Sequence, residues 1–151
     1  MAALQDLGAA DIAIVSPYDD RLTQASGDYW ASRGLRVRQV VRVEARSVHG
    51  AEPHPIYGLN SEAATDALGR VDAAGCDAIV MLGTGMPTLG AVRQAARLQG
   101  KPVLSSMLAL VWDALRDGHA GQACSAADWI DRGHWHAAYD AQRMPAAALP
   151  A

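Results

Sequence analysis

Three short segments of the sequence place small polar residues directly after apolar runs that are typical of strands. These segments are Ser16-Pro17-Tyr18, Gly83-Thr84-Gly85 and Ser105-Ser106. If the strands are parallel, their carboxyl ends lie on one edge of the sheet, and the three segments converge there. Together they offer a phenol, several hydroxyls and backbone amides, with no obligate cation. Such groups predict a pocket that holds a small carboxylate through hydrogen bonds.

The central segment follows the apolar run Ala78–Leu82, which lies between Asp77 and Gly83. An unbroken apolar run of this length predicts a strand that is buried on both faces of a parallel sheet. Beyond the glycines, Pro87 indicates the first turn of a helix, because proline lacks the amide hydrogen that is unpaired there. Bare amides and a helix N-terminus favour an anion at this position. The alternative is a tight strand-to-helix turn that binds no ligand.

The rest of the chain alternates between strands and helices, and this order must position the three segments. We predict strands at Asp11–Ser16, Leu35–Val43, Ala78–Leu82 and Pro102–Leu104, and helices at Arg21–Arg33, Ser61–Ala74, Thr88–Gln99 and Met107–Arg116. The alternation predicts an α/β fold of the flavodoxin-like, doubly wound type, with a parallel four-stranded sheet and helices on both faces. Ser61 is the predicted N-cap of its helix, and Gly100 marks the predicted end of the next one. A C-terminal aromatic-rich extension, with Trp129 and Trp135, follows.

The composition of the chain limits its partners. It has 151 residues and a formal charge of −3, and its positive residues are scattered. No apolar run approaches the roughly 20 residues of a membrane span. We therefore expect neither nucleic acid nor a membrane as a partner. No signal peptide is recognised at Met1–Ala10, and Cys76 and Cys124 form no C-x-x-C pair, so we expect a cytoplasmic location.

Other polar side chains give less specific patterns. His134 and His136 lie two residues apart, a spacing that can ligate a metal on a strand but places the two side chains on different sides of a helix, and no metal site is predicted. The segment after the central strand lacks the third glycine of a dinucleotide-binding fingerprint. Cys76 is interpreted as a small core residue, whereas a reactive thiol stays open at Cys124. Arginines alternate with apolar residues in the second strand, which predicts a solvated strand face, with anion binding as the alternative.

The chain resembles a known family in three spaced elements, IAIVSPY, CDAIVMLGTGMPTL and GKPVLSSMLALVWDAL. They are similar to the C-terminal half of the maleate cis-trans isomerase and arylmalonate decarboxylase group, within the aspartate/glutamate racemase superfamily. The resemblance implies two similar α/β domains in the relatives, a site between those domains, a cysteine at one strand end of each, and catalysis without a cofactor. We predict that residues 1–118 form one such half-domain and that residues 119–151 form a C-terminal extension, partly helical and frayed at its end.

The resemblance also implies roles for individual residues. Tyr18 matches a tyrosine whose hydroxyl holds the substrate carboxylate, and Thr84 and Gly85 match a turn whose amides form an oxyanion pocket. Gly83 occupies the position of the family's C-terminal cysteine, so no catalytic residue is assigned. His54, in the long predicted loop 44–60, aligns loosely with a substrate-binding asparagine. Convergence and resemblance together give the substrate-binding set Tyr18, His54, Gly83, Thr84, Gly85, Ser105 and Ser106.

The expected function is that of a racemase-superfamily protein that binds a small carboxylate in a cofactor-independent oxyanion pocket. If it is active, we expect an isomerase, racemase or decarboxylase that transfers protons on a small carboxylic acid. One alternative is a catalytically silent carboxylate-binding module. Another is one subunit or fragment of a two-domain isomerase or decarboxylase. Because a single half leaves one face exposed, we also expect a homodimer, or a separate N-terminal half-domain as partner.

Overall fold

The computed structural model describes residues 1–44, 55–95, 97–116 and 124–132. The strands are β1 (Asp11–Ser16), β2 (Arg36–Arg42), β3 (Ala78–Met81), β4 (Arg97–Leu98) and β5 (Lys101–Ser105). The helices are α1 (Ala2–Asp6), α2 (Asp20–Ser32), α3 (Ser61–Gly69), α4 (Leu89–Gln94), α5 (Ser106–Leu115) and α6 (Ala126–Arg132), and a 3-10 turn at Pro55–Gly58 precedes α3. Within these ranges, none of the helices combines the length with the hydrophobicity that a membrane-spanning helix needs.

The strands form one sheet in the order β2-β1-β3-β5-β4. The first four strands of that order run parallel, with Ile12 opposite Ala78 and Val15 opposite Met81 in the central pair. Every residue of β1 and β3 is buried, because helices cover both faces of the sheet. The α/β class predicted from the sequence is confirmed. The sheet is mixed and five-stranded, however, where a parallel four-stranded sheet was predicted.

The additional strand, β4, lies where the sequence predicted the end of a helix. The predicted helix Thr88–Gln99 is wrong in its second half, because α4 ends at Gln94 and β4 pairs antiparallel with the start of β5. Gln99 and Gly100 have positive φ angles of 49° and 80°, the backbone of a two-residue hairpin turn. Gly100 therefore belongs to a hairpin. A helix end uses glycine in the same left-handed region, so the two structures share this sequence signal.

The boundaries of α3 also differ from the prediction. Asn60 is the N-cap in place of Ser61, because its side chain accepts a backbone hydrogen bond of 2.9 Å from the first turn. The helix ends at Gly69 rather than at Ala74, and the Arg70 amide closes its last turn. A glycine is a weak helix former, which favours an end at this position.

The helices form one layer on each face of the sheet. Helices α3 and α4 cover the face that carries Ala13, Val15, Ile79, Met81 and Val103. Helices α1, α5 and α6 pack on the other face, with Trp30 of α2, against Ile12, Ile14, Val80, Leu82 and Leu104. Helix α2 contains no buried residue. It therefore covers the second face incompletely, and a groove opens beside it.

Charged side chains close the amino-terminal edge of the sheet. Arg36 and Arg38 both donate to the Asp11 carboxylate, and Asp77 accepts the amides of Ala10 and Asp11 at 2.9 Å each. The Arg36 guanidinium lowers the pKa of Asp11 from its usual 3.8 to about 2. The hydrogen bonds from the two amides lower the pKa of Asp77. Both arginine side chains lie on the exposed strand face that the sequence predicted, with Asp11 as their partner.

Candidate functional site

Hydroxyl groups hold the turn after β1 and position Tyr18. Ser16 Oγ lies 2.8 Å from Thr23 Oγ1 of α2, and it accepts the Tyr18 amide at 3.4 Å. Thr23 Oγ1 donates to the Tyr18 carbonyl at 3.2 Å. Asp19 then caps α2 by accepting the Leu22 amide at 2.8 Å. These hydrogen bonds fix a half-buried Tyr18 at the carboxyl-terminal edge of the sheet.

The turn after β3 has no room for a side chain at Gly83. This glycine is buried and has a φ of +86°, in the left-handed region that favours glycine. A Cβ at this position would lie 2.6 Å from Pro17 Cγ and 3.0 Å from Ile56 Cδ1. The pyrrolidine ring is tied to the backbone, so Pro17 cannot rotate away as a flexible side chain would. The backbone at Gly83, where the resemblance implies the family's cysteine position, is therefore closed to a side chain.

Thr84 and Gly85 continue this turn towards the solvent. A Cβ on Gly85 would lie 2.8 Å from Tyr57 Cε1, so the tyrosine ring rests against the turn. Thr84 is exposed, and within the described ranges neither amide donates a hydrogen bond to a backbone acceptor. The helix after the turn begins at Leu89, with Thr88 as its N-cap, close to the predicted start at Thr88. Pro87 lies before the helix rather than in its first turn, where the sequence predicts it. The amides of Thr84 and Gly85 therefore remain available as hydrogen-bond donors. The N-terminus of the helix, whose dipole was expected to favour an anion, lies farther along the chain than Pro87 indicated.

The two serines after β5 have different roles. Ser105 is buried, and its Oγ accepts the Leu108 amide at 3.2 Å as the N-cap of α5. Ser106 is half-buried, and its Oγ donates a long hydrogen bond of 3.5 Å to the Met81 carbonyl. Ser105 therefore stabilises the fold, and Ser106 has the hydroxyl that a ligand could reach.

A groove of about 500 Å³ opens at this edge, between α2 and the strand ends. It brings together three of the predicted site residues, Tyr18, Gly83 and Ser106. A second cavity of about 290 Å³ lies between α1 and α5, and it shares Trp30 and Ser106 with the first. We call the two cavities together the α2–α5 groove. The first of the two cavities thus brings together one residue of each of the three segments, as the parallel strands predict.

The other predicted site residues are placed less directly. Ser105 lines the second cavity, while Thr84 and Gly85 lie on the turn beside the groove without lining it. His54 lies outside the described residues, as does the pair of histidines in the C-terminal extension. In the described ranges, no three side chains of the metal-binding types form a cluster.

Sequence reasoning missed the walls of this site. Leu22, Tyr29 and Trp30 of α2 form one wall of the groove, and Ile56 and Tyr57 cover the turn after β3. A signal for α2 was present, because Leu22 and Tyr29 lie seven residues apart on one helical face. The contact of Tyr57 with the turn joins residues that are distant in sequence, and no local pattern indicates it.

The two cysteines lie away from the groove. Cys76 is buried before β3, at the opposite end of the strand from Gly83, and burial raises the pKa of its thiol. Cys124 is half-buried, and its Sγ donates to the Ser125 carbonyl at 3.5 Å. Neither residue lines the groove. A thiol from these residues therefore does not replace the one that the resemblance places at Gly83.

The mixed α/β sheet and the glycine turn at the end of its central strand define an aspartate/glutamate racemase-like domain. The family model described as arylmalonate decarboxylase matches residues 1–129, and the chain belongs to that family.

Maleate isomerases and arylmalonate decarboxylases are among the proteins to which this chain is similar. The maleate isomerase of Alcaligenes faecalis is 28% identical over 115 residues, which are 76% of this chain and 44% of that protein. A mutant of the Nocardia farcinica maleate cis-trans isomerase with a covalently bound succinylcysteine intermediate is 28% identical, with a TM-score of 0.66 over 76% of this chain and 45% of the other. A crystal structure of arylmalonate decarboxylase is 25% identical, with a TM-score of 0.64 over 83% of this chain and 54% of the other. The chain thus spans about half the length of the proteins it matches.

Proposed function

We propose that this chain binds a small carboxylate at the carboxyl-terminal edge of its sheet, without a cofactor. The observation that carries the proposal is the turn at Thr84 and Gly85, whose amides have no backbone acceptor within the described ranges. Two such amides at the end of a central parallel strand can donate hydrogen bonds to the two oxygens of one carboxylate. The Tyr18 and Ser106 hydroxyls, which share the adjacent groove, supply further hydrogen-bond donors.

The chemistry that fits this site is stabilisation of an enediolate-like anion. Tyr18 and the turn amides would hold the negative charge that develops when a proton or carbon dioxide leaves the carbon beside a carboxylate. That step belongs to isomerisation, racemisation or decarboxylation, as in the named relatives. It also needs a base or nucleophile, and Gly83 cannot supply one. If the chain takes part in turnover without a base of its own, it acts as one subunit or fragment of a two-domain isomerase or decarboxylase.

A catalytically silent binding module is the second candidate, and one contact favours it. Because Pro17 occupies the space of a side chain at Gly83, the loss of the thiol comes with a closed backbone turn. A site built in this way would keep carboxylate binding while chemistry at this position is lost. We also propose a cytoplasmic location, in keeping with the free thiols of Cys76 and Cys124.

Calorimetry with maleate, succinate and malonate tests the binding proposal. We expect saturable binding, and Tyr18→Phe should weaken it by about 1–2 kcal/mol, the contribution of one hydrogen bond to a charged group. The control is Arg36→Ala at the opposite edge of the sheet, which should leave the affinity unchanged. Stronger loss in Arg36→Ala than in Tyr18→Phe would place the carboxylate elsewhere. A crystal soaked in maleate should show the ligand at the amides of Thr84 and Gly85.

A further inference from the structure

The α2–α5 groove continues from the candidate carboxylate site across one face of the sheet. Its first cavity, of about 500 Å³, contains Tyr18, Gly83 and Ser106 at the strand ends. Its second cavity, of about 290 Å³, extends between α1 and α5, and Trp30 and Ser106 line both cavities. The two cavities are therefore neighbours, and one elongated ligand can reach from the polar strand ends into the second cavity.

The second cavity is apolar on its floor and on both walls. Val80 of β3 and Leu104 of β5 lie opposite each other in the sheet and form the floor. Leu4 of α1 lies on one wall, and Ala109 and Leu110 of α5 lie on the other. A hydrocarbon chain bound here would leave water for an apolar surrounding, which is favourable. The cavity therefore suits the apolar part of a ligand.

The groups that can hold a carboxylate are concentrated at the other end of the groove. The Tyr18 and Ser106 hydroxyls line the first cavity, and so does Gly83. The next two residues after this glycine are Thr84 and Gly85, whose amides have no backbone acceptor within the described ranges. The groove therefore has hydrogen-bond donors for one anion at its first end and apolar side chains along the rest, which is the usual composition of a small-molecule site.

The charges around the groove do not suit a second carboxylate on the same ligand. Among the residues that the structure describes, no lysine or arginine lines either cavity, and Asp113 is the one charged side chain that does. Arg116 lies 3.1 Å from the Asp113 carboxylate and over the Trp112 ring. Arg33 lies over the Tyr29 ring, 5.0 Å from its centroid. A second carboxylate in the groove would therefore meet no cationic side chain, and it would approach an aspartate.

We propose that the ligand of this chain is a monocarboxylate with an aliphatic chain, which binds with its carboxylate at the strand ends and its chain in the α2–α5 groove. This inference rests on the proposed carboxylate site and names the class of ligand that the site takes. The aliphatic chain lies on the sheet face between α1, α2 and α5, and it passes Trp30 where the two cavities meet. Maleate and succinate reach the same donors but leave the second cavity unfilled, so they bind more weakly.

Calorimetry of the full chain with acetate, butanoate, hexanoate and octanoate tests the class of ligand. Each methylene group that enters the groove should lower the dissociation constant by about threefold, because it leaves water. Octanoate should therefore bind at least roughly 100-fold more tightly than acetate. Suberate is the matched ligand, since it has as many carbon atoms as octanoate but a carboxylate at each end. It should bind at least about tenfold more weakly than octanoate, because its second carboxylate lacks a cationic side chain.

Two alanines of α5 provide a matched pair of variants. Ala109→Phe fills the second cavity, whereas Ala114→Phe adds the same ring to an exposed residue that lines neither cavity. Ala109→Phe should lower the preference for octanoate over acetate by at least about tenfold, since the chain loses its space. Ala114→Phe should leave that preference unchanged. Circular dichroism establishes that both variants fold, and Ala25→Phe, at an exposed residue that lines the first cavity, replaces Ala109→Phe if the latter does not.

The possible results distinguish a failure of this inference from a failure of the proposed function. If acetate and succinate bind and octanoate binds no more tightly, the carboxylate site stands and the aliphatic ligand is refuted. Suberate that binds as tightly as octanoate refutes the monocarboxylate. Equal loss of the octanoate preference in Ala109→Phe and Ala114→Phe places the chain outside the groove and overturns the inference. If no carboxylate of the series binds, or if octan-1-ol binds as tightly as octanoate, the proposed carboxylate site itself is wrong.

Discussion

At the amino-terminal edge of the sheet, Asp11 accepts hydrogen bonds from two arginines, and Asp77 accepts two backbone amides. At the carboxyl-terminal edge, the amides of Thr84 and Gly85 have no backbone acceptor within the described ranges, and Ser106 faces a groove. Both edges are rich in polar groups. One edge uses its groups to join strands, and the other leaves them available, which is the condition for binding a ligand.

The largest expected effect concerns catalysis at the carboxyl-terminal edge. We expect the isolated chain to show negligible turnover of maleate, aspartate, glutamate or arylmalonates. Losing a catalytic nucleophile commonly lowers the rate by several orders of magnitude, and Gly83 carries none. Isomerisation, racemisation and carbon dioxide release assays measure this. A robust rate that survives Cys76→Ser with Cys124→Ser would reveal another base, and His54→Gln would be the next variant to assay.

The next largest effect is on stability, and it is measured by comparing two glycines that both have a positive φ angle. Gly83→Ala should lower the free energy of unfolding by about 2–4 kcal/mol, because strain at positive φ adds to overlap with Pro17. Gly75 also has a positive φ, of 74°, but nothing lies within 4 Å of the position of its Cβ. Gly75→Ala should therefore cost only about 1 kcal/mol of strain. Urea unfolding measures both values.

The Pro17 contact has its own test. Pro17→Ala combined with Gly83→Ala should recover part of the stability that Gly83→Ala loses, since the overlapping ring atom is removed. Equal losses in Gly83→Ala and Gly75→Ala would contradict the closed turn. They would then allow a cysteine at this position with little cost.

The smallest effect concerns the amino-terminal edge, where we expect a change in how steeply the free energy of unfolding depends on pH in acid. The pKa of Asp11 is about 2 in the folded chain against an ordinary 3.8, so the group stabilises the fold above that ordinary value. This contribution is lost as the pH falls towards 2. Asp11→Asn should flatten that part of the pH profile of unfolding, and Arg36→Gln should flatten it in the same direction. Urea unfolding between neutral pH and the acid limit measures the slopes. Identical slopes in the three proteins would show that the pair does not stabilise the fold.

Much of the sheet could be predicted because the signals are local. The apolar runs that became β1 and β3 are buried along their whole length, as such runs indicate. The β4–β5 hairpin was missed because Gly100 fits a helix end and a hairpin turn equally well. Pairing of β4 with β5 selects the hairpin, and this pairing is a tertiary contact that the local sequence does not encode.

The candidate site also has features that the sequence predicts and features that it does not. The meeting of Tyr18, Gly83 and Ser106 follows from the rule that parallel strands end on one edge, and it could be predicted. The overlap of Pro17 with a side chain at Gly83 depends on distances within that edge, which no spacing in the sequence encodes. The domain boundary predicted near residue 118 stays a prediction, although α6 beyond it packs against α1 and α5.

The Asp77 carboxylate has a consequence for synthesis on the ribosome. It holds the start of β1, yet it follows Asp11 by 66 residues, so the nascent strand emerges long before this partner exists. At ~5–20 residues per second, roughly 3–13 s pass between the two. During that interval β1 can pair with β2, whose Arg36 comes 25 residues after Asp11, but its other edge stays open. A strand that is buried along its whole length is therefore also the one that waits longest for its second neighbour. A chaperone bound during those seconds would protect it from pairing with another nascent chain.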